Sequence, residues 1–419
     1  MNDWPAFSYH GDTLFAENVS LTAIAEEFGT PCYVYSRAAI TAAYQEFEQA
    51  FANRAHLVCY AVKANSNLAI LNLLARLGSG FDIVSGGELQ RVLQAGGDPR
   101  KTVFSGVGKT REEMRSALDV NVLCFNIESE MELLALDDIA GEMGKIAPVS
   151  VRVNPDVDAN THPYISTGLK ENKFGIPTED AERIYRLAQE LPHIRPVGLD
   201  CHIGSQLTGL PPFIESARKI RNLQARLQAL GITIEHVDLG GGLGICYDPE
   251  SESPPSRQDY VESLCSEMAD TSARLIIEPG RSVVGNAGIL LTRVQYLKHL
   301  PHRNFAIVDA AMNDLLRPTL YQAYHSIQPV MKHENETRIY QIVGPVCETG
   351  DFFGNERTLA LAPHDLLAIM SSGAYGMSMS SNYNSRPRAA EVLVDGDSVK
   401  LIRARESIEA LYALENIVT

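Results

Sequence analysis

The chain has 419 residues, 45% hydrophobic and 21% charged, with a formal net charge of −16, which is ordinary globular material with room for two domains, one of them a barrel. That acidic balance, with no local Lys/Arg cluster to offset it, opposes binding to nucleic acid or an anionic membrane, so the expected partner is a small molecule. Residues 1–15 have neither the basic flank nor the apolar core of a signal peptide, and no stretch is long enough to span a bilayer; the expected location is the cytoplasm.

Residues 1–31 hold a short strand-like piece and then a capped helix, Leu21–Phe28, with Ser20 before it and Gly29 behind it. Pro31 closes this segment, which is expected to pack with a second domain. From residue 32 to about residue 280 apolar strands alternate with amphipathic helices, the pattern of parallel βα units. The strands fall at 56–62, 81–84, 102–104, 122–127, 149–153, 196–201, 234–239 and 274–277. Eight units in roughly 250 residues fit a closed (β/α)8 TIM-like barrel better than an open doubly wound sheet. Residues 281–419 change texture: strand-like runs at 289–296, 304–308, 338–343, 366–370, 390–394 and 398–403 come with few helices, which predicts a mostly antiparallel C-terminal β domain.

Seven cysteines are scattered singly and eleven histidines are equally dispersed, without HExxH, so no metal is expected. Most of the thiols lie in apolar runs and read as inert. Cys347 differs, because charged and polar residues surround it.

In a barrel of this kind the active site lies at the C-terminal ends of the strands. Lys63 ends the first strand, Asp82 falls in the second and Arg152 in the fifth; His202 follows the sixth, Gly240, Gly241 and Gly242 the seventh, and Glu278 the eighth. A lysine at a strand end loses hydration, which favours a neutral amine able to condense with a carbonyl; taken alone, Lys63 fits better as a side chain snorkelling off a strand. The glycine run lets backbone N–H groups approach an anion, where barrels commonly hold a phosphate, and Ser205 adds a hydroxyl. By itself the run is a flexible turn. Glu278 fits the partner of a protonated pyridine nitrogen, or a salt bridge to Arg152 or Arg281. Together these features describe pyridoxal 5′-phosphate (PLP), with His202 against the ring face; alone, His202 is a satisfied core histidine. Asp82 would orient the lysine or the ring, or form an ion pair with no catalytic part. The loop 158–174 is long for a βα connection and is expected to act as a lid, with His162 a solvated loop residue.

The motifs YAVKAN (60–65), FDIVSGGEL (81–89), HIGSQ (202–206), GGGLG (240–244), EPGR (278–281), CETGD (347–351) and GAYG (373–376) occur in this order. In them the chain resembles the PLP-dependent decarboxylases with an alanine-racemase-like barrel, and within these the bacterial diaminopimelate decarboxylase family, from about Phe15 to the Leu411 region. The resemblance implies that Lys63 holds PLP covalently, that Gly240, Gly241, Gly242 and Ser205 bind its phosphate, that Glu278 pairs with its ring nitrogen and that His202 stacks on it. Asp82, Arg152, Gly280 and Arg281 would complete the cofactor's surroundings. Arg281, Arg317, Tyr321, Glu348 and Tyr375 would surround the substrate, with Tyr375 also reaching the phosphate. It further implies a head-to-tail homodimer in which Cys347 and Glu348 enter the partner's active site. The family pattern carries arginine where Gly87 stands, so Gly87 is given no role.

A carboxylate beside the ring nitrogen keeps it protonated, which favours decarboxylation; racemases of the same fold place arginine there. Cys347 is then the candidate proton donor to the α-carbon. Arg281 and Arg317 would clamp a second carboxylate in fork geometry while Glu348 takes the distal amine. The expected reaction is conversion of meso-2,6-diaminopimelate to L-lysine and CO2 at the D-configured centre, the last step of lysine biosynthesis. The alternatives are a decarboxylase of ornithine, lysine or arginine, and a non-catalytic PLP-binding protein, which the complete second domain disfavours.

Overall fold

In the computed structural model, which describes residues 6–157, 173–250, 253–334 and 336–418, each of the eight expected apolar runs forms a parallel strand. They are His56–Ala61, Gly80–Ile83, Thr102–Phe104, Cys124–Ile127, Ala147–Asn154, Ile194–Asp200, His236–Asp238 and Arg274–Ile277. Each pairs with the next, and the last pairs with the first, Ile277 opposite Val58, which closes the ring. A two-residue strand, Ile176–Pro177, continues alongside the end of the fifth.

The chain turns into a helix soon after most strands because the sequence supplies caps. Asn67 caps Leu68–Leu77, Ser85 caps Gly86–Gln94 and Ser129 caps Glu130–Glu142, each by accepting a backbone N–H. Thr110 and Glu113 form a reciprocal capping box at Arg111–Val120. Inside the ring Leu57, Cys59, Val103, Cys124, Val197 and Ile276 pack as one cluster, and burying each large aliphatic contributes roughly 1.5–3 kcal/mol. Gly198 is required there: a Cβ would lie 2.1 Å from the His236 ring. Ala43–Ile245 with Pro254–Ser282 makes up this barrel unit.

The other unit comprises Met1–Ala42, Cys246–Ser253 and Val283–Thr419. Its main sheet runs, in order, Phe352–Leu359, Arg338–Val343, Arg303–Val308, Gly288–Leu300, Cys32–Ser36, Ala390–Asp395 and Ser398–Arg403. Most pairs are antiparallel; Arg303–Val308 with Arg338–Val343, and Cys32–Ser36 with Ala390–Asp395, are parallel. Three short N-terminal strands and the helix Leu21–Phe28 lie with this sheet, sharing a core in which Phe7, Leu14 and Ile24 meet Val34, Leu291 and Val392.

The structure divides the chain differently at two places. Cys246–Ser253, expected in the barrel, lies with the β unit. Residues 32–42 were expected to open the barrel, yet Cys32–Ser36 is a fully buried central strand of the β unit, zipped to Gly288–Leu300 on one side. Besides Cys32–Ser36 and Ile176–Pro177, two strands of the β unit were not expected, Ile327–Pro329 and Phe352–Leu359. The first is three residues long and ends in proline. The second is broken by Gly-Asn-Glu-Arg, with Glu356 at φ 53 bulging an edge strand. The expected lid lies outside the described residues apart from Lys173 and Phe174, as does His162. No helix among the described residues is long and apolar enough to cross a membrane.

Candidate active site

In the barrel unit Lys63 sits in a 3-10 turn, Val62–Ala64, directly after the first strand. Its Nζ donates to Asp82 Oδ2 at 2.5 Å; the lysine side chain is 37% exposed and the aspartate is fully buried. The lysine side chain is thus part-exposed, and the buried Asp82 balances the charge of its amine. Gly280 lets the turn after the eighth strand rest on the lysine turn, since a Cβ there would lie 2.9 Å from Ala64 Cβ.

Glu278 is buried and its Oε1 has no hydrogen-bond partner. It shares the mouth with Asp200 and Asp238, the carboxylate oxygens of the three lying within 4.8 Å of one another. Such spacing can hold a metal ion, but desolvation pushes all three carboxyls above their ordinary range; repulsion from Asp238 adds to it at Asp200 and Glu278, whereas at Asp238 a side-chain hydrogen bond with Glu278 works the other way. Shared protons are the balance this environment favours. Asp200 and Asp238 escaped the sequence reading because acids near the ends of apolar strands were passed over in favour of the residues just beyond them.

Arg152 is buried against Glu128, with Nη1 3.3 Å from Oε1, and its guanidinium lies 4.9 Å from the Phe174 ring centroid. Glu128, also not anticipated, accepts as well from the N–H groups of Gly106 and Gly175. His202 is half-buried and held neutral by desolvation and by the cations Arg152 and Lys63. Its Nδ1 accepts from the Gly241 N–H at 3.2 Å, and the Gly240 N–H goes to Asp238 Oδ1 at 2.9 Å. Two amides of the expected phosphate cradle are thus already engaged, which narrows it to Gly242 and its neighbours. Gly242 has φ 112, and a Cβ on it would lie 2.5 Å from Gly204 O. Arg281 is buried and donates to Ser205 Oγ at 3.0 Å.

In the β unit Arg317 opens the short helix Arg317–Tyr321, which places Arg317 and Tyr321 one turn apart. Tyr375 lies in the tightly packed Gly373–Gly376 turn at φ 56, a left-handed conformation uncommon for a tyrosine and frequent where a side chain is held for function. Cys347 and Glu348 are exposed on one loop; Glu348 accepts from Tyr383 Oη at 2.8 Å, and the Cys347 N–H donates to Asn384. All seven cysteines are free, and only Cys347 is exposed.

A family model described as "Pyridoxal-dependent decarboxylase, pyridoxal binding domain" matches residues 37–285. A diaminopimelate decarboxylase of Pseudomonas aeruginosa is 60% identical over 412 residues, 98% of this chain and 99% of that protein. The chain belongs to the diaminopimelate decarboxylase family.

Solved diaminopimelate decarboxylases agree with this. The enzyme of M. jannaschii in co-complex with L-lysine superposes with a TM-score of 0.95 at 40% identity, covering 100% of this chain and 99% of that one. That of Helicobacter pylori complexed with L-lysine gives a TM-score of 0.91 at 45% identity, covering 94% and 98%. The residues present fit the PLP of a pyridoxal-dependent decarboxylase. Glu278 offers a buried, unpartnered oxygen and, when protonated, a proton that a basic ring nitrogen can share. The glycine turns leave backbone where side chains would otherwise stand.

The acid cluster gives a pH prediction. Burial pushes the Asp238 carboxyl up to about 7 from an ordinary 3.8. Below pH 4 both folded and unfolded chains hold that proton; between 4 and 7 the unfolded chain releases it first, so this contribution to stability is lost as pH rises through about 7. Cofactor-free protein is expected to lose urea resistance between pH 5 and pH 8, by at most about 3 kcal/mol from this group, and Asp238→Asn should flatten the loss. Identical pH dependence in the two proteins would refute the assignment.

Proposed function

We propose that this family member decarboxylates meso-2,6-diaminopimelate at its D-configured centre, giving L-lysine and CO2, the last step of lysine biosynthesis. Full-length similarity to diaminopimelate decarboxylases carries this reading. When bound, PLP supplies an electron sink for the charge left as CO2 departs. Lys63 Nζ would hold the cofactor covalently, with Asp82 orienting the amine. Glu278 would keep a proton at the ring nitrogen, and neutral His202 would lie against the ring face. Gly242 and its neighbours with Ser205 and Tyr375 would bind the phosphate, Gly240 and Gly241 shaping that turn; Arg152, Gly280 and Arg281 would complete the cofactor site.

On the substrate, Arg317 and Arg281 would take the carboxylate that is retained in the product, with Tyr321 and Tyr375 beside it. Glu348 would take the distal amine. Cys347 would protonate the α-carbon, which suits an exposed thiol on a loop. We read Cys347 and Glu348 as serving the site of a second copy, which makes the working enzyme a homodimer. Seven free thiols accord with a cytoplasmic location.

The test is an assay of purified protein with PLP on meso-diaminopimelate, L-ornithine and L-arginine, measuring CO2 and L-lysine. Lysine from diaminopimelate alone is the expected result. CO2 from ornithine with none from diaminopimelate overturns the substrate, and PLP absorbance without CO2 from any of them overturns the enzyme.

A further inference from the structure

Arg317 is 5% exposed and His325, just beyond the same short helix, is fully buried. His325 Nδ1 lies 2.8 Å from Met370 O. A carbonyl only accepts, so Nδ1 carries the ring hydrogen and Nε2 presents its lone pair. That lone pair faces Arg317 Nη1 at 2.8 Å, and the guanidinium donates to it. On its other side the guanidinium stacks on Tyr247, 4.4 Å from the ring centroid, and Tyr247 meets the His325 ring edge-on at 5.1 Å. The arginine is thus fixed by a ring nitrogen and a ring face.

The chemistry of that grip matters. A glutamate in place of His325 would hold the arginine equally firmly but cancel its charge, leaving little attraction for a substrate carboxylate. A neutral imidazole accepts one N–H and leaves the positive charge in force.

We propose that His325, backed by Tyr247, is a positioning residue that sets carboxylate specificity by orienting Arg317 without neutralising it. This rests on the reading above that Arg317 receives the carboxylate retained in the product. His325 and Tyr247 touch no reacting atom; they act through the guanidinium.

The test compares competitive inhibition of the PLP-loaded enzyme by L-lysine and by cadaverine, which is lysine without its carboxylate. Arg317→Ala should weaken lysine by at least about tenfold and leave cadaverine unchanged. His325→Leu and Tyr247→Leu should each weaken lysine selectively, His325→Leu by about tenfold, with KM for diaminopimelate rising more than kcat falls. His325→Gln, whose amide oxygen can take the place of Nε2, should recover most of the loss. Adding His325→Leu to Arg317→Ala should change nothing further. If Arg317→Ala leaves the lysine-to-cadaverine ratio intact, the carboxylate role of Arg317 is wrong. If Arg317→Ala shifts the ratio and neither His325→Leu nor Tyr247→Leu does, or if both inhibitors weaken alike, the positioning role is wrong. Tyr247→Leu keeps the question answerable should His325→Leu fail to fold.

Discussion

Lys63→Ala is expected to lower CO2 release from diaminopimelate by about three orders of magnitude or more, and borohydride should no longer fix PLP to the protein. The reason is local. Lys63 is held at the end of the first barrel strand by a rigid 3-10 turn, and its amine is aimed by a bond of 2.5 Å to Asp82. The variant has a second consequence: Asp82 is fully buried and its Oδ1 already lacks a partner, so removing the amine leaves the whole carboxylate unmatched. That should cost about 1–3 kcal/mol of stability. Lys63→Ala/Asp82→Asn should recover stability and no activity, which separates the two effects in one urea titration and one assay. Activity of Lys63→Ala within tenfold of the parent would end the assignment of Lys63 as the cofactor's anchor.

Glu278→Gln is expected to behave in the opposite way towards the fold. Its carboxyl is raised by desolvation and by Asp238, Asp82 and Asp200, so above neutral pH it opposes folding, because a raised folded-state value favours the native state only at low pH. In cofactor-free protein at pH 8 the amide should therefore raise the urea midpoint. With PLP restored, kcat should fall by about two to three orders of magnitude, since an amide cannot return a proton to the ring nitrogen as an acid does. A gain in stability with a loss of turnover is the mark of a residue kept for chemistry. Full kcat in Glu278→Gln would show that the ring nitrogen needs no acid here.

The barrel was legible because its strands are short apolar runs alternating with amphipathic helices; the structure shows Asn67, Ser85, Thr110 and Ser129 capping helices at the same boundaries. The polar residues at the strand ends were legible for the same reason. Cys32–Ser36 was not legible as a strand of the β unit, because its neighbours come from residues 288–300 and 390–395, and no local signal points across such a distance. Asp200 and Asp238 look like ordinary strand residues until the closed ring brings them to Glu278. The pairing of Lys63 with Asp82 and the role of His325 were hidden too, because each depends on one partner, Asp82 or Met370, supplied by a different segment.

The position of Cys32–Ser36 also orders events at birth. This segment leaves the ribosome early, whereas both strands that flank it are made late, Ala390–Asp395 almost last. A cylinder of βα units can close meanwhile, since all its staves lie between residues 56 and 277. Until residues 288–300 are made the early ribbon has two bare hydrogen-bonding edges, and one stays bare almost to the last residues, beside five side chains destined for the interior, the kind of nascent segment on which chaperones act.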